Sequence, residues 1–377
     1  MSGVRIHSRL PRDSFAQVTR VPPDSVEPGT RTLDRAGRGV LCFLGLVLAI
    51  SPGFPPDGFL RAQTKTGTTI GQFTLIEPSA RSAAMGGAGG TSLEEVFSSY
   101  YNPGALGALT QSDVQFSYND WFAGISLNHA AGAFVLGEMG TALISVTSLS
   151  SGDIAVRTVD QPLGTGEQYT VNDLRIGLGY GFRVSDRFSF GVQVNYINER
   201  IWHSTIATFG INIGTLYQLS EGGLRIGASL VNFGLSSHFD GTDLRIRYDL
   251  DPTRYGDNSS IPAAVLTDNF SLPIVFRVGL GYPYLIDPSN TVTIAVDALH
   301  PSDNSESLNL GGEWEFKKIL ALRVGYSGLF QVDNEFGLTA GGGLSWDGLG
   351  YLLHFDYAWA NHKRLGSVQR ITLGVGL

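Results

Sequence analysis

The sequence predicts an all-β fold: a transmembrane antiparallel β-barrel of about 14 strands, preceded by a short helical segment. Three observations predict it. Apolar residues recur with a period of two from Ser112 to the C-terminus, the periodic stretches are longer than ordinary globular strands, and aromatics are frequent on the apolar side. Ile176, Leu178, Tyr180 and Phe182 alternate with Arg175, Gly177, Gly179 and Gly181. Phe188, Phe190, Val192, Val194 and Tyr196 alternate with Ser189, Gly191, Gln193 and Asn195. Successive side chains of a strand point to opposite faces, so each stretch has one apolar face and one polar or empty face. An apolar outside and a polar inside describe a barrel of the bacterial outer membrane.

Composition agrees. Of 377 residues 16% are charged and 49 are Gly, fewer charges and more glycine than a soluble domain carries. The longest apolar run, Val40 to Ile50, falls short of the ~18 residues a spanning helix needs. The net charge of −8 argues against nucleic acid as a partner. Lipid of the outer membrane is the partner such a surface implies.

Residues 1–62 read as a signal peptide with an N-terminal extension. Arg31, Arg35 and Arg38 precede the apolar run, and cleavage is expected after Ala62. Removing this stretch takes away Cys42, the only cysteine, and leaves no thiolate for a disulfide or metal site.

Residues 63–111 are expected to form a hatch or plug. Arg81 to Gly90 is rich in small residues and lacks strand alternation. Ser92-Leu93-Glu94-Glu95 offers a capping box, and Val96, Phe97, Tyr100 and Tyr101 follow at helical spacing. Asn102-Pro103-Gly104 stops that helix, because the residue before proline is pushed out of the α region. No Lys-Ser/Thr pair follows the glycines, so they are not a phosphate cradle.

Residues 112–377 make the barrel. Its expected strands are Ser112–Tyr118, Trp121–Leu136, Gly140–Leu149, Tyr169–Phe182, Arg187–Ile201, Thr205–Gln218 and Gly223–Phe233. Then come Phe270–Tyr282, Asn290–Leu299, Ser307–Phe316, Leu320–Gln331, Phe336–Trp346, Gly350–Trp359 and Ser367–Leu377. Turns at Ser185-Asp186, Asp333-Asn334 and Trp346-Asp347-Gly348 are short. The long insertions Ser150–Gln168 and Leu235–Asn269 are expected outside the cell, since barrels keep short turns on the periplasmic side.

With aromatics outward, the inward set includes Arg175, Arg225, Arg277, Asp297, Glu313, Glu315, Arg323, His354 and Asp356. Two readings stand. The charges pair across the lumen and anchor the N-terminal segment, because an unpaired buried charge is costly. Alternatively they hold an anionic ligand or a peptide terminus in Arg forks. Inward glycines, among them Gly181, Gly191, Gly311 and Gly325, leave room for residues 63–111 inside.

Enzymatic chemistry finds little support, and neither catalytic residues nor a cofactor is expected. The histidines are scattered without an HExxH pair or an i, i+4 pair, so no metal site is predicted. No Gly-x-Ser-x-Gly elbow is present. Asp249, Asp251, Asp257 and Asn258 read as a solvated acidic loop rather than a calcium site. Trp121, Trp202, Trp314, Trp346 and Trp359 fall near strand ends, as an interfacial aromatic belt would place them.

Glu77-Pro78-Ser79-Ala80-Arg81 through Met85-Gly86-Gly87-Ala88, then Tyr100-Tyr101-Asn102-Pro103-Gly104-Ala105-Leu106, resemble the opening of the PorV/PorQ family of FadL-like outer-membrane barrels. That family usually reads "ARALGMGGA" and later "YWNPAGL". Here Tyr101 stands for the usual Trp and Gly104-Ala105 for Ala-Gly. Leu299 to Asp303, Leu308 to Trp314, Leu322 to Tyr326 and Leu365 to Leu377 also resemble the family, so the resemblance runs from about Ile70 to the end. It marks Arg81, Met85, Gly86, Gly87, Asn102 and Pro103 as the hatch motif. It implies a non-enzymatic barrel in type IX protein secretion, with secreted cargo and other secretion components as partners. The alternative is a FadL-like channel that takes up hydrophobic small molecules.

Overall fold

The computed structural model describes residues 67–377, apart from 94, 221, 252, 254–259, 332, 333 and 349. The signal segment 1–62 with Cys42, and Asp257 and Asn258 of the acidic loop, lie outside the described residues. Fourteen strands close into one antiparallel sheet, to which the two-residue strand Asp240–Gly241 is added by pairing with Ser204 and Thr205. The fourteen are β1 Asp113–Asp120, β2 Ser126–Val135, β3 Thr141–Ser150, β4 Val171–Ser185, β5 Phe188–Ile201, β6 Ser204–Gln218 and β7 Arg225–Gly234. The second half comprises β8 Val275–Asp287, β9 Asn290–Pro301, β10 Ser307–Phe316, β11 Leu320–Leu329, β12 Leu338–Gly348, β13 Tyr351–His362 and β14 Gly366–Gly376. Each strand pairs with its chain neighbour. The sheet closes where β14 meets β1, with Asp113 opposite Gly376 and Asp120 opposite Gln369.

Burial follows the inverted pattern. In β1, Gln115 is 1% exposed and Asn119 0%, while Val114 and Phe116 are 43% and 48% exposed. The apolar face can only be stable against lipid, and closure leaves no unpaired strand edge there.

Connection lengths sort by end. At one end the turns are 136–140, 186–187, 288–289 and 317–319, and at the other run 151–170 and 235–274. The long loops carry small hairpins, Ile154–Ala155 with Gln168–Tyr169 and Arg245–Tyr248 with Ile261–Ala264. Both long insertions leave the same rim, which assigns that rim to the cell exterior and the short turns to the periplasm.

Three local expectations need correction. Trp121–Leu136 is not one strand: a 3₁₀ turn over Phe122–Gly124, with Ala123 at φ 56°, breaks it before β2. Trp346-Asp347-Gly348 belongs to β12, and Asn334 sits in the connection 330–337 at the long-loop end. The capping box does not form. The helix is only Ser98–Tyr101, capped by no side chain, and the Val96 amide donates to Asp113 at 2.7 Å.

Residues 70–109 lie against the inward faces of the strands and form apolar clusters with them. Phe73 and Ile70 group with Leu127, Ile197 and Leu272, and Val96, Phe97 and Leu106 group with Ala131, Ala133 and Leu143.

Because β14 supplies the closing pairs, deleting residues 371–377 should leave β1 and β13 unpaired in lipid and prevent assembly. Leu373 is 52% exposed on the lipid face, so Leu373→Arg should cost about 2–4 kcal/mol if it lies near the bilayer midplane. Heat-modifiable migration of outer-membrane fractions reads both, and a truncated barrel at normal abundance would disprove the closure.

Candidate functional site in the barrel lumen

The segment inside the barrel is shaped by local rules. Ser79 caps a helix over Ala80–Ala84 by accepting from the Ser82 amide at 3.2 Å. The glycine-rich stretch therefore begins as a helix, where the sequence reading had only a loop. Asn102 accepts from the Gly104 amide at 2.9 Å and starts the 3₁₀ turn Pro103–Ala108.

Wall and segment meet backbone to backbone where both lack side chains. Gly86 has φ 69°, and a Cβ there would lie 2.7 Å from the Leu310 carbonyl oxygen and the Tyr326 amide nitrogen. On the wall, a Cβ at Gly325 would collide with Met85 and Gly86, and one at Gly191 with Pro103. Inward hydroxyls and amides complete the contact. Ser117 donates to the Pro78 carbonyl at 2.6 Å, Ser229 to Tyr101 at 2.7 Å and Thr339 to Ala84 at 2.9 Å. Asn102 donates to the carbonyls of Gly90 and Thr215, both at 2.9 Å.

The lumen charges are arranged in groups. In the largest, Arg81 of the segment meets Glu313 at 2.7 Å, Glu313 meets Arg323 at 2.5 Å, and Arg323 meets Asp356 at 2.5 Å. Positive and negative alternate along this chain, and Glu313, Arg323 and Asp356 are all buried. A second group joins Arg277 to Asp297 at 2.7 Å. Arg277 also donates to the Gly87 carbonyl, and Asp297 accepts from the Gly90 amide, both at 2.8 Å. Near the short-turn rim, His354 lies 3.4 Å from Asp113, which also accepts from Gln115 at 2.9 Å. Arg175 donates to Asn195 at 3.1 Å and lies over the Tyr100 ring. Arg225 shares the inward face of β7 with Gly227 and Ser229 at its short-turn end.

Of the hatch-motif residues, Arg81, Met85, Gly86, Gly87, Asn102 and Pro103 all contact the wall in this arrangement. Several lumen groups were not singled out from the sequence. Arg370 donates to the Glu77 carbonyl at 3.0 Å, and alternation alone places it inward, on the parity of Thr372 and opposite Ile371 and Leu373. Asp113 follows from the same parity in β1. Glu77 and Glu95 carried no such signal, because irregular backbone has no period to read. Trp121 also departs from expectation. It continues the inward parity of Asp113 to Asn119 in extended backbone and lies against Arg370 and His362, with ring centroids 5.6 Å apart for the latter, so it lines the lumen instead of an interfacial belt.

A cavity of about 360 Å³ remains in the lumen between the segment and the wall. Asn304, Gln331 and Phe336 bound it towards the long-loop end, and Arg175, Arg277, Arg370, Tyr100 and Tyr101 line it more deeply. Burial pushes both tyrosine hydroxyls far above their ordinary pKa, so they are neutral donors. Among the described residues no cluster of three or more His, Cys, Asp or Glu side chains is placed to hold a metal ion.

With this geometry the chain can be compared with known proteins. A sequence profile of the type IX secretion system protein PorV matches residues 60–300. The chain belongs to the PorV family. No curated protein matches it in sequence. Among solved structures this PorV-family barrel is similar to the Pseudomonas putida toluene transporter TodX, with TM-score 0.53 and 13% identity over 79% of this chain and 96% of that one. A TodX deltaS2S3 mutant channel gives TM-score 0.51 and 12% identity over 79% and 97%. The Ralstonia pickettii toluene transporter TbuX gives 0.48 and 13% over 80% and 98%. At these identities the similarity is one of fold. The PorV-family chain is a multi-pass β-barrel of the bacterial outer membrane.

Two outcomes follow for the segment. Glu313→Ala removes the carboxylate that Arg81 and Arg323 share, leaving two cations with Asp356 beside Arg323, and should cost about 3–5 kcal/mol, read from the urea midpoint of the refolded barrel. Burial also pushes the Glu95 carboxyl above its ordinary range, against the pull of Arg81. A raised carboxyl keeps its proton in the folded state at a pH where the unfolded chain has lost it. Stability from this group is therefore full below pH 4.5 and falls as pH rises through the raised value. Glu95→Gln should match wild type at pH 4 and be the more stable protein at pH 8. Equal midpoints at both values would remove Glu95 from the account.

Proposed function

We propose that this barrel serves type IX secretion by receiving secreted cargo at the cell surface and passing it to the attachment machinery. In this reading residues 63–111 act as a plug that keeps the lumen shut to polypeptide. The observation that carries the proposal is the PorV profile match over residues 60–300. The interior supports it: Arg81 pairs with Glu313, Asn102 bonds Thr215, and Pro103 to Gly107 press on β4 and β5 towards the short turns. Cargo then has the exterior surface available, with the long connections 151–170 and 235–274 at that rim.

Uptake of hydrophobic small molecules is the other reading. TodX is a toluene transporter, and the fold is shared. An uptake site of that kind needs an apolar pocket, whereas the cavity here ends on three guanidinium groups. Affinity purification of the tagged barrel from detergent-solubilised outer membranes separates the two. Secreted proteins should co-purify; long-chain lipid recovered without secreted protein would overturn the secretion role.

A further inference from the structure

Three guanidinium groups converge on the cavity, and their compensation is incomplete. Arg175, Arg277 and Arg370 are each within five residues of the long-loop end of their strands. Arg277 and Arg175 flank a tyrosine pair: Arg277 lies 5.2 Å from the Tyr101 ring centroid, Arg175 lies 5.6 Å from that of Tyr100, and the two rings are 5.0 Å apart. Only Arg277 has an ion-pair partner among the described residues, Asp297. Arg175 is held by the neutral Asn195, and Arg370 by the backbone carbonyl of Glu77. The Glu77 carboxyl is near enough to act on Arg277 and Arg370. Even with Glu77 fully ionised, two acids face three guanidinium groups. Asp303 stands at the mouth, accepting from Thr69 and Gln72, and is not among the charges that act on the three.

A buried, uncompensated guanidinium is costly, and an anion in the cavity removes that cost. The rest of the lining says what kind of anion. Amide side chains border the space: the Nδ2 groups of Asn212 and Asn304 with Gln331 and Asn361, beside Asn232, which donates to Thr74 and Pro273, and Asn309, whose oxygen accepts from Ser327 and the Gly328 amide. Asn232 is turned inward by a strand irregularity, with φ 60° and a register shift between β6 and β7. Aromatic rings from Tyr100, Trp121 and Phe336 supply flat faces beside them. The Tyr101 hydroxyl is buried and has no hydrogen-bond partner among the described residues. Fixed charge for one carboxylate, amides for several hydroxyls and rings for a C–H face are the complement of an acidic sugar. The volume, about 360 Å³, is at the small end of the ~300–1,000 Å³ range of ligand pockets and suits a single sugar unit.

We propose that the long-loop half of the lumen is a binding site for one acidic monosaccharide unit, its carboxylate held by Arg175 and Arg370 and its ring between Tyr100 and Trp121. A free sugar acid and the terminal unit of a surface glycan share this chemistry. The site stands apart from the cargo role and does not depend on it.

Titration calorimetry of the full detergent-solubilised barrel with D-glucuronate tests it. Glucuronate should bind at least tenfold more tightly than glucose, which lacks the carboxylate, and than hexanoate, which lacks the hydroxyls. Binding should weaken with added salt, and Arg175→Gln should lower the glucuronate affinity at least tenfold. If that variant loses heat-modifiable folding, the wild-type ligand series still decides. The methyl glycoside of glucuronate separates the sources: equal binding points to a glycan terminus, and loss of binding to the free acid. No heat from glucuronate up to 10 mM, on the order of a Kd too weak to be specific, would overturn the proposal. So would glucose or hexanoate binding as tightly as glucuronate.

Discussion

Lipid offers no hydrogen-bond partner to a backbone, and most of this structure follows from that absence. The sheet has to close, and it does so by pairing the last strand with the first. Once closed, it must turn its apolar face outward. The polar residues thus have only the lumen to occupy, and there they meet one another and whatever chain is placed inside.

What occupies the lumen here is the chain's own N-terminal segment, fitted at two levels. The coarse fit is steric. Glycines on the wall and in the segment let backbones approach more closely than any Cβ would permit, as at Gly86 and Gly325. The fine fit is electrostatic. The alternating chain Arg81–Glu313–Arg323–Asp356 places each buried charge beside one of opposite sign. A pair of this kind adds little net stability compared with apolar packing, but loss of a single member is severe, so it enforces one docking arrangement. Wall hydroxyls from Ser117, Ser229 and Thr339 then satisfy segment carbonyls that helix hydrogen bonds do not reach.

The two halves of the lumen differ in consequence. Towards the short turns, Pro103, Leu106 and Gly107 press on β4 and β5 closely enough to exclude added side chains. Towards the long loops a cavity persists, and its inner wall carries more positive than negative charge. The excess charge there is not needed for closure, which is why that half of the lumen invites a ligand.

The sequence by itself determined the barrel. A period of two is a property of the strand, so fourteen strands, the outward aromatics and the inward parity of Arg175, Arg277, Asp297, Glu313 and Arg323 could be read without coordinates. Arg370 and Asp113 were legible by the same rule, though they lay outside the set drawn from it. The tertiary structure alone decided which charges meet. Pairing across a barrel joins residues far apart in the chain, as Arg81 joins Glu313, and alternation carries no information about that distance. It also decided the course of residues 70–109. There the Ser92–Glu95 capping signal is not used: the Val96 amide donates to Asp113, a partner on the first strand that no local signal announces, and the helix is the single turn Ser98–Tyr101, too short to be stable without its packing.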